Sequence, residues 1–249
     1  MKYTNFWVDD FNQEKVDHYD KKWFVRFEKN LKHIHQLKLL RKIIKNDISW
    51  LDFPIGSARL MRILGQEKKM RLRGYDFSEN FIKYSSNFGI KCEKHNLLEK
   101  CEGEKFDLVT CNNAIFSFSK ENQFLILKNL KNLLKPKTGI IFFDVLSSHY
   151  LRIFTSPSEI IESDHFERSY TREEIKQTLL DLDLDLISIH ATDSIDNSFL
   201  RKLIRKAPII YKFINKLYFK TNFKSLLFWI SLKLPDIFQS KFIVIAKYR

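Results

Sequence analysis

Two carboxylates frame the stretch of this chain best suited to chemistry. Asp52 opens the turn Asp52-Phe53-Pro54-Ile55-Gly56-Ser57-Ala58-Arg59, and Asp76 closes the next apolar segment, twenty residues beyond Gly56. Ile48 to Phe53 reads as a short strand broken by Pro54 and Gly56, and Leu60, Ile63 and Leu64 begin a helix. A strand–turn–helix of this kind aims the unpaired N–H groups of a helix start at whatever lies beyond the strand end. In a doubly wound sheet a strand ending on Asp76 lies beside the first, where its carboxylate can accept two ribose hydroxyls. The pattern points to a nucleotide-like cofactor. A dinucleotide would need the three glycines of GxGxxG, and only Gly56 is present; no Gly-Lys-Ser/Thr follows, so a P-loop is excluded.

The elements that must position these residues alternate along the chain. Phe24, Phe27, Leu31, Ile34, Leu37, Leu40 and Ile44 recur at helical spacing and predict one amphipathic helix over about 21–45. Strands are expected over 70–76, 90–95, 106–111 and 140–145. Helices are expected after Ser78, over 121–134 and from the capping-box-like Thr171-Arg172-Glu173-Glu174. Residues 147–169 read as a loop region with a short helix, 184–190 as a strand, 199–233 as basic helix and 241–248 as a final strand. The fold class expected is α/β: a doubly wound, mostly parallel seven-stranded sheet, last strand antiparallel, with helices on both faces. Residues 1–47 would form an N-terminal helical arm, and 48–249 the α/β domain with 199–233 inserted before the last strand.

With the elements in order, the chain resembles the class I S-adenosylmethionine-dependent methyltransferases. Trp50 to Leu60 resembles the family's first motif, a strand followed by acid-x-Gly-x-Gly-x-Gly, with Pro54 and Ala58 standing in for the outer glycines. Gly74-Tyr75-Asp76-Phe77-Ser78 resembles the second, which carries the ribose-binding acid. His95-Asn96-Leu97-Leu98 sits where the family approaches the adenine amino group. Phe106-Asp107-Leu108-Val109 with Cys111-Asn112-Asn113-Ala114 resembles the fourth-strand motif, and Leu134-Lys135-Pro136-Lys137-Thr138-Gly139 the turn that follows. The resemblance implies S-adenosylmethionine as cofactor, held by Asp52, Gly56, Ser57, Arg59, Asp76, Phe77, Asn96, Leu97 and Asn112. It implies methyl transfer to a small molecule or to a lipid- or sugar-containing intermediate. A binding protein that keeps the fold without catalysis, and an RNA or protein methyltransferase, are the alternatives; the latter lacks the Asp/Asn-Pro-Pro-aromatic pattern of nitrogen-directed nucleic-acid enzymes.

Methyl transfer from a sulfonium needs mainly positioning, although an oxygen acceptor calls for a base. His149 and Tyr150, after the fifth strand, are the catalytic candidates; His165 and Tyr170 follow in the irregular region. Cys92, Cys101 and Cys111 have no CxxC spacing, which argues against a structural zinc site or a disulfide framework, and no metal is expected. With no leader-like segment and no apolar run of spanning length, a cytoplasmic protein is expected.

The net charge of +13 is concentrated at one end: residues 195–249 hold twelve Lys/Arg against two Asp. Within 199–233 there are nine basic residues and no acid. Three readings fit this segment: a helical cap with solvated lysines, a peripheral contact with anionic membrane or a lipid-linked substrate, and a nucleic-acid contact.

Overall fold

Successive residues of a strand face opposite sides of a sheet, so in a strand covered on both sides every side chain must be apolar or have its polar groups hydrogen-bonded. Ser49–Asp52 (β1) and Leu108–Cys111 (β4) are buried at every residue. The computed structural model describes residues 13–148, 159–162, 165–192, 207–233 and 240–249. In it β1 lies between Arg71–Asp76 (β2) and β4, parallel to both. Lys91–Lys94 (β3) extends the parallel sheet beyond β2, and Ile140–Ser147 (β5) beyond β4. Lys241–Tyr248 (β9) runs antiparallel along β5, and Leu184–Thr192 (β8) antiparallel along β9. This is the doubly wound, mostly parallel sheet with an antiparallel last strand that the sequence predicts.

The period of two divides the core. Leu51, Val109, Ile141 and Phe143 face one side, where they pack with Ile126, Leu127 and Leu130 of Lys120–Asn132 (α5) and with Ile175 and Leu179 of Arg172–Asp181 (α6). Their neighbours Trp50, Leu108 and Phe142 face the other. There they meet Leu37 and Leu40 of Phe27–Ile43 (α2) and Leu60, Met61 and Leu64 of Arg59–Glu67 (α3). Glu79–Ser86 (α4) follows β2, and the expected capping box opens α6, with Glu174 N–H donating to Thr171 Oγ1 at 3.0 Å and Thr171 N–H to Glu174 Oε2 at 2.9 Å.

Two expectations are corrected. The single helix over 21–45 is two, Gln13–Val25 (α1) and α2, divided at Arg26, whose backbone is extended at φ −106° and ψ 122°. No Gly or Pro marks the break, and the apolar spacing runs across it; α1 packs on α4 while α2 packs on α3. Within the stretch expected to be loop and short helix, Glu159–Glu162 (β6) and His165–Tyr170 (β7) form an antiparallel hairpin, and β7 joins the end of β5 in parallel. Polar Arg168 sits buried in β7 because Gln123 Oε1 accepts from its Nη1 at 2.9 Å and Glu174 Oε1 from its Nη2 at 3.0 Å. The basic segment forms two helices in its described part, Pro208–Lys220 (α7) and Phe223–Lys233 (α8), while 199–206 lie outside the described residues.

Between Leu31 and Leu37 helix α2 is buried on nearly every side, so Lys32, His33, His35 and Gln36 point inward while Lys38, Arg41 and Lys42 stay exposed. Lys32, 1% exposed at its side chain, donates to Asp144 Oδ2 of β5 at 2.8 Å and to Asn113 Oδ1 at 2.7 Å. Burial pushes the Asp144 carboxyl up, but Lys32 and Lys241 beside it hold it below the ordinary range. Removing one member of a buried pair strands the other charge, at about 3–5 kcal/mol. Lys32→Met should therefore destabilise the protein by about that amount in urea unfolding. Lys32→Met with Asp144→Leu should recover part of the loss, because no carboxylate is then left uncompensated.

Candidate active site

All nine residues expected to hold the cofactor line a single cavity at the C-terminal ends of β1, β2 and β4: Asp52, Gly56, Ser57, Arg59, Asp76, Phe77, Asn96, Leu97 and Asn112. His149 and Tyr150 lie outside the described residues. Tyr19, Gln36, Ser117 and Phe118 also line the cavity and carry no motif that would have marked them.

Asp76 organises the cavity floor. Its Oδ2 accepts the Gly56 N–H at 2.9 Å, and its Oδ1 accepts the Ser78 N–H at 2.9 Å. One carboxylate thus ties the turn after β1 to the turn after β2. Each oxygen retains acceptor capacity, which suits a vicinal pair of hydroxyls. Burial pushes its pKa up to about 6, against the lowering effect of backbone hydrogen bonds from Ser78, Gly56 and Phe77.

The first turn is pinned on both flanks. Phe53 N–H donates to Thr110 O of β4 at 2.9 Å, and Ile55 N–H to Tyr75 O of β2 at 2.8 Å. A Cβ on Gly74 would lie 2.1 Å from Ile55 Cδ1, so the turn sits on β2 only because residue 74 has no side chain. Asp52 is fully enclosed; Thr110 Oγ1 donates to its Oδ1 at 2.5 Å and itself accepts from Trp50 Nε1 at 2.9 Å. Burial raises the Asp52 pKa to about 7, opposed by the Thr110 hydroxyl and the Arg59 charge.

Gly56 at φ +50° and Ala58 at φ +54° both occupy the left-handed region. Gly56 takes the left-handed backbone that glycine favours, and a Cβ there would meet no protein atom within 4 Å, so the position is open to the cavity. At Ala58 the backbone is the one glycine prefers, at about 1–2 kcal/mol for an L-residue. Its methyl is wholly buried against the α2–α3 core, which returns about 0.8 kcal/mol. The replaced glycine therefore costs little in the fold and places no side chain in the cavity.

The cavity is roofed by the N-terminal helices. Tyr19 of α1 and Gln36 of α2 line it, and Gln36 Nε2 donates to Asn112 Oδ1 at 3.0 Å. Arg59 stacks on Trp23 of α1 with its guanidinium carbon 3.7 Å from the ring centroid. Asn113, at φ +58°, gives its N–H to Asp144 Oδ1 at 2.5 Å and accepts from Lys32 and Lys241, so the loop after β4 is fixed from α2, β5 and β9 together. Asn96 is spent partly on its own turn, its Oδ1 accepting Leu98 N–H at 3.0 Å. Ser57 Oγ, Ser78 Oγ, Arg59 Nη1 and Asn112 Nδ2 are buried around the cavity with no hydrogen-bond partner among the described residues. Unsatisfied donors beside an open glycine and a carboxylate with spare acceptors fit a polar nucleoside ligand with an amino-acid tail.

A sheet of this order, with a cavity over the ends of β1, β2 and β4 and an acid at the end of β2, defines the Rossmann-like class of S-adenosylmethionine-dependent methyltransferases. The family model described as "Methyltransferase domain" matches residues 24–189. Among solved structures, an S-adenosylmethionine-dependent methyltransferase from Clostridium acetobutylicum is similar over 94% of this chain and 98% of its own, at 16% identity and a TM-score of 0.59. The magnesium protoporphyrin IX methyltransferase of Synechocystis, with bound S-adenosylmethionine, is similar over 89% and 79%, at 10% identity and a TM-score of 0.52. The [4+2]-cyclase SpnF is similar over 86% and 79%, at 9% identity and a TM-score of 0.58. No curated protein matches the sequence. The chain belongs to the methyltransferase-domain family; it is a methyltransferase, and S-adenosylmethionine is its cofactor.

The Asp76 carboxyl gives a pH dependence whose sign differs between folding and binding. A buried carboxyl raised from 3.8 to about 6 favours the free fold while protonated, and that contribution is lost as pH rises through 6. Binding a diol needs the ionised acceptor. Isothermal titration with S-adenosylhomocysteine should therefore show affinity falling as pH is lowered from 7.5 to 5. Asp76→Asn should weaken binding about 10–100-fold, the worth of about one hydrogen bond to a charged group, and reduce the pH dependence to the part that Asp52, raised to about 7, contributes. Gly56→Ala should cost about 1–2 kcal/mol in stability from its left-handed backbone, and its methyl should weaken the same titration further.

Proposed function

We propose that this methyltransferase acts on a small molecule or a lipid- or sugar-containing intermediate held beneath the α1–α2 roof. The observation that supports this reading is that Tyr19 of α1 and Gln36 of α2 line the cavity together with the turns after β1, β2 and β4, which gives a concave site walled by helices as well as by the sheet. A pocket suits an acceptor that enters whole or by a protruding group, and does not suit a duplex or a folded protein surface.

When bound, S-adenosylmethionine supplies a methyl carbon already activated by its sulfonium. The protein's own contribution is orientation and desolvation. Asp76 would hold the ribose hydroxyls, Gly56 and Ser57 would let the backbone approach the amino-acid end, and Asn96 and Leu97 would meet the base. The Asp52 carboxyl, raised by burial to about 7 with Arg59 already opposing, would be drawn toward its ionised form by a cationic ligand beside it. At the acceptor end Gln36, Asn112, Asn113 and Ser117 offer neutral polar contacts that can orient a nucleophile without competing for its proton. Besides Asp52 and Asp76, the described lining includes the imidazole of His95 and the phenol of Tyr19; His149 and Tyr150 are the sequence candidates for acid–base help to an oxygen acceptor and lie outside the described residues.

Incubation with methyl-labelled cofactor and separate metabolite, lipid and RNA fractions tests this. Label should enter the metabolite or lipid fraction, and Gln36→Ala should raise the acceptor KM more than it changes cofactor affinity. Label confined to RNA or to protein would sink the acceptor assignment. No cofactor binding at millimolar concentration would remove the basis for it.

A further inference from the structure

Helices α7 and α8 carry two stripes each, and among the described residues only one packs inside the protein. On the inner side Tyr211, Ile214 and Tyr218 of α7 join Leu227 and Phe228 of α8 around Leu31 of α2. Tyr218 is 1% exposed, and its hydroxyl donates to Asn30 Oδ1 at 2.8 Å. Phe228 packs edge-on to His35, with centroids 5.8 Å apart. The pair is thus seated on the outside of the helix that roofs the cavity.

The outer side is apolar as well. Ile209, Ile210 and Phe213 of α7, at i, i+1 and i+4, are 82%, 56% and 65% exposed; Leu226, Trp229 and Ile230 of α8, at i, i+3 and i+4, are 51%, 59% and 39% exposed. Single exposed apolar residues are ordinary, but six on two adjacent helices mark an interaction surface. Interspersed with them are five lysines, three on α7 (Lys212, Lys216 and Lys220), and residues 207–233 contain no acid. At 13 and 11 residues the helices are about 20 Å and 17 Å long, too short for a hydrocarbon core of about 30 Å, and no described helix is long and apolar enough to cross a membrane.

We propose that the α7–α8 pair docks the enzyme on an anionic lipid surface, its aliphatic and aromatic side chains entering the interface while the lysines meet the headgroups. Charge decides between occupants. A second copy would bring a further set of lysines against the first with no acid to answer them. A phosphate backbone would answer the lysines but leave Ile209, Ile210 and Leu226 without an apolar partner. An anionic bilayer supplies both contacts, and a helix lying in its plane can bury one side to the acyl boundary. The surface stands apart from the cofactor cavity, so the proposal holds or fails independently of the acceptor assignment.

Flotation of the full-length protein with phosphatidylcholine vesicles, with and without 30 mol% phosphatidylserine (about that fraction suffices for a marked surface potential), tests it. Binding should require the anionic lipid, weaken with added salt, and shift Trp229 fluorescence to the blue, a shift absent in Trp229→Phe. Ile209→Asp with Phe213→Asp should abolish flotation. Lys212→Glu with Lys216→Glu should reduce it at least about 25-fold, at about fivefold for each lysine removed. Unchanged titration of S-adenosylhomocysteine shows that these variants are folded. The proposal is overturned by no flotation at low salt, by equal flotation of the Asp variant, by a Trp229 shift that follows protein concentration without lipid, or by the same shift with RNA alone.

Discussion

A single carboxylate holding two backbone N–H groups sets the geometry on which the cavity depends. Through Gly56 and Ser78, Asp76 fixes how far apart the turns after β1 and β2 can lie. The two helix starts that follow, α3 and α4, are therefore spaced by the same group that is positioned to meet the ligand. Gly74 lets Ile55 cross β2, and Thr110 holds both Phe53 and Asp52 from β4. The turn after β1 is thus held from three directions by neighbours that are themselves inside the sheet. Such a turn can tolerate Ala58 in a left-handed conformation, because the surrounding contacts over-determine the backbone.

The side of the cavity after β4 is built differently, by a helix that inserts polar side chains into the protein. Lys32 and Gln36 lie four residues apart, one turn of α2. The first neutralises Asp144 and grips Asn113, and the second grips Asn112. In a low-dielectric interior such contacts are strong when complete and expensive when broken. The two asparagines after β4 are thereby oriented by an element from the start of the chain. His33, on the same helix, is buried with neither ring nitrogen hydrogen-bonded among the described residues. Burial lowers its pKa to about 4, so it is a neutral ring at physiological pH.

Much of this was legible where local sequence dictates local shape. The alternating strands and helices, the open position of Gly56 and the carboxylate that ends β2 follow from spacing and backbone requirements, and the structure places Gly56 and Asp76 in one cavity. What depends on distant pairing was not. Asp144 is 112 residues from Lys32, and nothing near either residue announces the other. The polar residues of α2 read as a solvated face because amphipathicity is the usual fate of a mixed helix, whereas this one is covered on nearly all sides between Leu31 and Leu37. The break at Arg26 was hidden because two helices with one continuous apolar spacing look like one. The β6–β7 hairpin was missed because its buried strand carries Arg168, whose charge is answered by Gln123 and Glu174 from α5 and α6.

Helix α2 also joins two surfaces. Its 17 residues make a rod about 25 Å long. One side forms the cavity roof through Gln36, and another receives α7 through Leu31 and Asn30. Between these contacts in sequence, Lys32 ties the same rod to Asp144 and Asn113. The cavity lining and the seat of the outer helices are therefore two faces of one element. Thermodynamic reciprocity makes any coupling between occupancy of the cavity and engagement of the outer helices equal in both directions: whatever free energy one event lends to the other is returned in full.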